Sequence, residues 1–236
     1  MDKVSALIQA LAYSVPPVES ESSNQSWPFI TISRQAGAGG YTLAKALMHE
    51  LEQKADDPFC SGWSIFGVTM CRQLLEKHHL HLSQETLRKE DYHSQLEDLG
   101  YQIFASHSSQ EYVFHRISTE IRTAAIRGKV IIIGRGGSCL TGDLPNGIHV
   151  RLVASLDARV HRMQELQKCP EAKARQIVHE RDAARSRYVH DRFGRDIDDP
   201  TLYDVIWNTE RVAIPDVAQQ LMAMIRSRAA RPVLQV

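Results

Sequence analysis

Cysteine is scarce in these 236 residues: Cys60, Cys71, Cys139 and Cys169 are the only four. None pairs at a C-x-x-C spacing, so no zinc framework is written here, and such sparse thiols point to a reducing compartment. An excess of one charge is also missing. The 28 Lys+Arg balance 28 Asp+Glu, for a net charge of zero. That excludes a nucleic-acid coat or a polybasic membrane binder, both of which need a large positive surplus. Long apolar runs are absent. Stretches such as Val130–Ile133 are strand-sized, far short of the roughly 20 residues that cross a bilayer. One early lysine, Lys3, and a broken apolar pattern make no signal-peptide core. A cytoplasmic protein is expected, with neither nucleic acid nor membrane as a partner. No repeat of fixed period is present. What is there is an ordinary globular composition, 43% hydrophobic and 24% charged, in a chain long enough to bury a sizeable core.

Val4, Leu7, Ile8 and Leu11 recur at helical spacing, and Pro16-Pro17 with the polar run 19–26 reads as a linker. Residues 1–26 are therefore expected to form a helix and linker, open to packing on the main body, to a partner or to self-association. The main domain, 27–236, starts at Trp27. Strand patterns fall at Phe29–Ser33, Trp63–Phe66, Val130–Ile133, His149–Val153 and Tyr203–Trp207. Helical patterns fall between them: 43–51, Val68–His79, Ser83–Leu99, Gln110–Arg127, Asp157–Gln167, Glu171–Arg187 and Pro215–Arg228. Pro170 separates two of them. Alternation of this kind predicts an α/β fold, a parallel sheet of about five strands with helices on both faces.

In such sheets ligands bind beyond the carboxyl ends of the strands. Two glycine turns stand there, and both carry an arginine. Ser33-Arg34-Gln35-Ala36-Gly37-Ala38-Gly39-Gly40-Tyr41-Thr42 follows the first strand, where backbone N–H groups and a helix N-terminus can cradle phosphate. Against G-x-x-x-x-G-K-[ST], Arg34 takes the place of the first glycine and Gly40 that of the lysine. Close strand–helix packing explains such a turn equally well. Gly134-Arg135-Gly136-Gly137 follows the buried strand Val130–Ile133. A guanidinium there suits either a bidentate hold on an anion or a surface ion pair. Arg159 and Arg162, three apart, share a helix face, as do Arg181 and Arg185, four apart. Asp157, Glu165, Glu171, Glu180 and Asp182 are interleaved with them, as in a salt-bridged hairpin. The preference for arginine over lysine fits phosphate recognition.

These stretches, with Ile30-Thr31-Ile32, His149-Val150-Arg151-Leu152-Val153-Ala154, Arg159-Val160-His161-Arg162, Asp199-Pro200, Leu202-Tyr203-Asp204 and Asn208-Thr209, resemble in order the cytidylate kinase-like family. The resemblance runs from about Phe29 to Met224. It implies a three-layer P-loop NTPase-like fold with a helical lid at about 159–195. It also implies transfer of the γ-phosphoryl of ATP, with Mg²⁺, to CMP, dCMP or another small phosphate acceptor. By resemblance Gly37, Ala38, Gly39, Gly40 and Tyr41 form the phosphate loop, Thr42 lies near the metal, and Arg135 faces the acceptor. Arg34, Arg159, Arg181 and Arg185 become phosphate-neutralising candidates, while Arg162, Asn208 and Thr209 border the donor nucleotide. Against the better-characterised cytidylate kinases the sequence lacks the loop lysine and has Gly136 for the aspartate of a Gly-Arg-Asp motif. The cytidylate kinase-like branch it resembles also has Ser-Arg before a lysine-free loop. Within that branch it differs in Ala38 for serine, Tyr41 for arginine and Gly67 near where the family often places a strand-end aspartate. Binding without turnover, as a nucleotide sensor, is the competing expectation.

Other candidates weigh less. His78, His79 and His81 have no nearby cysteine or paired carboxylate to complete a metal site. Asp198-Asp199-Pro200 reads as a turn, and Cys139 and Ser138 have no adjacent base. An RNA-binding role for 151–195 fits poorly with so few aromatics among the arginines.

Overall fold

The computed structural model describes residues 27–67 and 110–230. The expected N-terminal helix and linker, the helices at 68–79 and 83–99, the three clustered histidines and Cys71 lie outside the described residues.

Five strands pair in parallel in the order β2-β3-β1-β4-β5. They are β1 (Phe29–Arg34), β2 (Ser64–Phe66), β3 (Val130–Ile133), β4 (Gly147–Val153) and β5 (Val205–Asn208). The helices are α1 (Gly40–Glu52), α2 (Gln110–Arg127), α3 (Gly137–Thr141), α4 (Leu156–Gln167), α5 (Glu171–Phe193) and α6 (Ile214–Ala229). A single 3₁₀ turn, Pro200–Leu202, precedes β5.

Side chains alternate along β1 and β4, so each strand feeds two layers. Ile30, Ile32, Ile148, Val150 and Leu152 point to one face and are sealed by Leu43, Leu47 and Leu51 of α1 with Val217, Leu221 and Ile225 of α6. The opposite face is unusually polar. Thr31 Oγ1 meets His149 Nδ1 at 2.8 Å, and Arg151 Nη1 donates to Ser33 Oγ at 3.0 Å. Gly137, at the start of α3, packs on this face. A Cβ there would stand 3.2 Å from Thr31 and Ile132 side-chain atoms, so glycine lets α3 lie close on the sheet.

β1 is the centre of the sheet, and the chain leaves it in one direction while β3, its neighbour, leads across to β4. The connections after these two adjacent strands diverge. That opens a crevice at their carboxyl ends, the place where open α/β sheets bind ligands. Both glycine turns lie on that edge.

Candidate phosphotransfer site

The first turn is held from below. Gln35 N–H donates to the Leu152 carbonyl at 3.0 Å, continuing the β1–β4 ladder past its last residue. Gln35 Oε1 in return accepts from Ala154 N–H. Gly37 (φ 80°) and Gly39 (φ 88°) take the left-handed backbone that reverses the chain into α1. At Gly37 size matters as well as conformation. A Cβ would lie 2.5 Å from the carbonyl oxygen of Arg159, so α4 presses directly on the loop. Gly39 is the N-cap of α1 and offers no side chain to it. No acidic residue stands in the first turn of α1, which leaves the positive end of its dipole uncompensated by a nearby carboxylate.

The hairpin of α4 and α5 clasps the outside of this loop. Ala36 is fully buried in a small core with Val160, Met163, Ala174 and Val178, so the loop contributes to the hairpin's own packing. Asp182 Oδ1 accepts from Ala36 N–H at 2.6 Å. Arg159 Nη1 donates to Asp182 Oδ2 at 2.6 Å and to the Ala36 carbonyl, while its Nε donates to the Ala154 carbonyl. Arg162 donates to the Gly37 carbonyl and to both Oγ1 and the carbonyl of Thr209. Thr209, 3% exposed, donates its hydroxyl to the Ala38 carbonyl at 3.0 Å. Three successive loop carbonyls, of residues 36, 37 and 38, are thereby turned outward toward the hairpin and β5.

The second turn carries a run of left-handed backbone. Gly134, Arg135 and Gly136 have consecutive positive φ values of 69°, 59° and 64°, and for a non-glycine residue such as Arg135 that is unfavourable by about 1–2 kcal/mol. Strain of this kind at a strand end is a pointer to a site. Arg135 Nε is buried and has no hydrogen-bond partner among the described residues. Its carbonyl accepts from Tyr188 on α5. Phe193, also on α5, covers Gly136 so closely that a Cβ there would fall 2.3 Å from the ring. One stripe of α5 thus touches both turns: Asp182 and Arg185 on the first, Tyr188 and Phe193 on the second.

Arg34 joins the turns directly. Its Cγ and Cδ lie over Gly40, each 2.9 Å from where a Cβ would be, and its Nη1 lies 2.3 Å from the corresponding point on Gly134. The backbone carbonyl of Arg34 accepts from Arg185 Nη1 at 3.3 Å.

Of the arginines proposed from sequence, the structure brings Arg34, Arg135, Arg162 and Arg185 to this edge. Arg159 and Arg181 are instead buried, at 7% and 9% exposure. Arg159 faces the outer side of the loop, and Arg181 lies in the α4–α5 interface with Nη1 3.6 Å from Met163 Sδ. Tyr41 and Thr42 are exposed on the first turn of α1. Asn208 ends β5, where its Oδ1 caps Glu210 N–H.

Sequence reasoning passed over Asp182 as one acid among several. Its position three residues before Arg185 placed it on the same helix face, which was the available signal. It also gave no site role to Ser33, Arg151 and Tyr203, and read Asp198 as part of a turn. Arg151, 4% exposed, pairs with Asp198, and the Tyr203 hydroxyl donates to the Ile197 carbonyl at 2.8 Å, which leaves it the acceptor in its hydrogen bond with the Ser33 hydroxyl. Burial pushes the Tyr203 phenol up, opposed by its bond to Ser33 and by Arg151. Burial likewise pushes the Cys139 thiol up against smaller opposing effects of Ser138 and Arg195, so this cysteine is held as a thiol and not as a nucleophile.

No group of three or more His, Cys, Asp or Glu able to hold a metal occurs among the described residues. Thr42, the exposed third residue of α1, carries a hydroxyl that is a hard oxygen donor. Mg²⁺ commonly binds through substrate phosphates, waters and one or two protein oxygens, and this environment fits that mode.

A lysine-free glycine loop and a strained arginine turn over adjacent parallel strands, clasped by a helical hairpin, place the chain in the P-loop kinase fold class. The chain belongs to the cytidylate kinase-like family, whose model matches residues 29–211. A cytidylate kinase from Sulfurisphaera tokodaii is 26% identical over 204 residues, covering 86% of this chain and 98% of its own. An uncharacterized protein from Eubacterium ventriosum, 18% identical, superposes with a TM-score of 0.61 over 85% of this chain and 98% of its own, a likeness of fold. A shikimate kinase from Acinetobacter baumannii, 14% identical, overlaps over 88% of this chain and 97% of its own at a TM-score of 0.45.

Proposed function

We propose that the chain transfers the γ-phosphoryl group of ATP to a nucleoside monophosphate, with CMP or dCMP the first acceptors to try. The observation that carries this reading is the pairing of two glycine turns, each with an arginine, on adjacent strands whose connections diverge. The Sulfurisphaera relative's name favours cytidylate as acceptor. In the reaction an oxygen of the acceptor phosphate attacks Pγ, the bond from Pγ to the β,γ-bridging oxygen breaks, and ADP leaves with that electron pair. An acceptor phosphate dianion is already nucleophilic, so the protein's task is alignment and charge neutralisation. Buried thiol and phenol groups held in their protonated forms take no part in it.

In this reading the backbone of Gly37, Ala38, Gly39 and Gly40 receives the donor phosphates, beside Tyr41. Arg135 takes the acceptor phosphate, and Arg185 faces the crevice from α5. Arg159, Arg162 and Thr209 are positioning residues that hold the loop, and Arg181 supports the hairpin from within; Asn208 ends the strand beside the donor side. Thr42 would hold Mg²⁺, which supplies charge neutralisation on the donor phosphates. The segment 159–195 acts as the lid of a domain spanning 27–236, with 1–26 attached. Its setting is the cytoplasm, in keeping with the free thiols of Cys60, Cys139 and Cys169. No helix among the described residues is long and apolar enough to cross a membrane.

The test is ADP release by the full chain with ATP, Mg²⁺ and a panel of nucleoside monophosphates and other small phosphate acceptors. Turnover with one of them, reduced in Arg135→Ala, supports the reading. If no acceptor raises ADP production above the Arg135→Ala level, it fails. The missing loop lysine favours a second reading, a nucleotide sensor. Saturable ATP binding without turnover on any acceptor would select it.

A further inference from the structure

The loop motif has exchanged its cation. In G-x-x-x-x-G-K-[ST] the first position is glycine and the seventh is the lysine that reaches the β- and γ-phosphates. Here the first is Arg34 and the seventh is Gly40. In space the exchange is complementary. The stem of Arg34 passes over Gly40, and the three nearest atoms to a Cβ placed there all belong to Arg34. Gly40 is buried and opens α1 with ordinary helical backbone, so its lack of a side chain serves the room Arg34 needs. Gly134 repeats the arrangement on the other side of the crevice. A Cβ there would overlap Arg34 Nη1 at 2.3 Å. Two glycines on two different turns are thus both shaped around one guanidinium.

We infer that Arg34 replaces the loop lysine, its guanidinium spanning from the donor loop to the acceptor turn so that it meets the phosphoryl group in transit. The inference rests on the phosphotransfer reading for its chemistry, and on the packing of Arg34 between Gly40 and Gly134 for its residue. A lysine at the seventh position approaches the phosphates from the helix end alone. An arginine anchored at the end of β1 presents a planar fork with donors toward both turns. Its positive charge then lies where negative charge spreads over the equatorial oxygens of the transferring group. Arg185, bonded to the Arg34 carbonyl, fixes the backbone from which the fork extends.

The experiment moves the charge back. Arg34→Gln keeps the stem and removes the charge. Arg34→Ala empties the space over Gly40, and Arg34→Ala/Gly40→Lys restores a cation from the seventh position. Binding of ATP, ADP and AMP is measured by calorimetry on the full chain, alongside turnover with the best acceptor and a thermal melt of each variant. Arg34→Gln is expected to weaken ATP and ADP at least tenfold and AMP less than twofold, and to lower turnover about 10²-fold. The double variant is expected to regain at least tenfold in ATP affinity over Arg34→Ala. Gly40→Lys alone, which collides with Arg34, is expected to bind ATP more weakly than wild type. Equal losses for AMP and ATP, or ATP binding within threefold of wild type in Arg34→Gln, would overturn the inference. So would a folded double variant no better than Arg34→Ala. Should Arg34→Ala not melt cooperatively, the nucleotide series in Arg34→Gln decides. Wild-type protein that binds ATP but phosphorylates no acceptor sinks the kinase reading while the binding series still decides on Arg34. Wild type that binds no nucleotide overturns both.

Discussion

Asp182 and Arg159 form an ion pair 2.6 Å long behind the first glycine turn, and the second oxygen of Asp182 receives the Ala36 amide. Arg159 is 7% exposed, so its charge depends on this one carboxylate. Replacing one partner of a buried pair leaves the other charge uncompensated, which is worse than removing both. Asp182→Asn keeps an acceptor for Ala36 but removes the charge. It is expected to destabilise the chain by about 2–3 kcal/mol, less than a fully buried pair because Asp182 is partly exposed. Asp182→Asn/Arg159→Met is expected to recover part of that loss. Chemical denaturation of the two variants checks the order; a double variant less stable than Asp182→Asn would mean that the Arg159 bonds to the Ala36 and Ala154 carbonyls matter more than its charge.

Two left-handed glycines separate conformational strain from crowding. Gly194 (φ 60°) ends α5 with nothing within 4 Å of where a Cβ would stand, whereas a Cβ on Gly37 (φ 80°) would meet the Arg159 backbone at 2.5 Å. Gly194→Ala should lower stability by about 1–2 kcal/mol, the left-handed penalty alone. Gly37→Ala must also push α4 off the loop, and a loss of at least about 3 kcal/mol is expected, since backbone at that distance cannot rotate aside. For a domain of this size that corresponds to a Tm drop of about 6–12 °C, and ATP binding should weaken only in Gly37→Ala.

The strands and the two turns were legible because they are local. Val130–Ile133 is a β-branched run between glycines, and such a run has few other uses. The short helix α3 was not, since five residues opening on glycine after a glycine turn carry no helical period. The sequence pattern also ends α5 near Arg187, where Tyr188, Val189 and His190 lower helix propensity. The helix runs on to Phe193 because Tyr188 and Phe193 pack on each other and on the Arg135–Gly136 turn, and Phe193 also on Phe114, a tertiary gain that spacing cannot reveal. The last strand begins at Val205, two residues late, because Tyr203 is drawn aside by the Ile197 carbonyl and Ser33. The same blindness governs the site. Spacing put Arg159 with Arg162 and Arg181 with Arg185, but it could not say that Arg159 would turn to a carboxylate on the next helix or that Arg181 would be covered by α4.

His149 gives the polar face a pH dependence. Burial holds its imidazole below the ordinary value of 6.5, and Arg228 adds to this while Asp204 opposes it. The unfolded chain therefore takes up this proton at higher pH than the folded one. Stability from this residue is complete above about pH 6.5 and declines as pH falls below it, until His149 protonates in the folded state. The slope is limited to about 1.4 kcal/mol per pH unit for one proton. His149→Asn, which retains a polar partner for Thr31, should flatten the wild-type loss between pH 7 and pH 5 in denaturation measured at fixed ionic strength. Parallel curves for the two proteins would show that the acid sensitivity lies elsewhere.

Thr209 ties the end of β5 to the first glycine turn through a buried hydroxyl. That hydroxyl donates to the Ala38 carbonyl and accepts from Arg162, whose guanidinium also reaches the Gly37 carbonyl. Thr209→Val has nearly the same shape and removes only the oxygen, leaving the Ala38 carbonyl and one Arg162 donor unmatched in a buried place. An unmet buried group costs about 1–3 kcal/mol. Because the groups belong to the loop, the cost should fall on the loop's binding geometry. The KM for ATP is expected to rise about 5- to 150-fold, that energy expressed as binding, with the KM for the acceptor changed less than twofold. Thr209→Ser keeps the hydroxyl and should return the ATP KM to within threefold of wild type. Were the acceptor KM to rise instead, the stretch of loop around Ala38 would belong to the acceptor half of the crevice and the assignment of the two turns would have to be reversed.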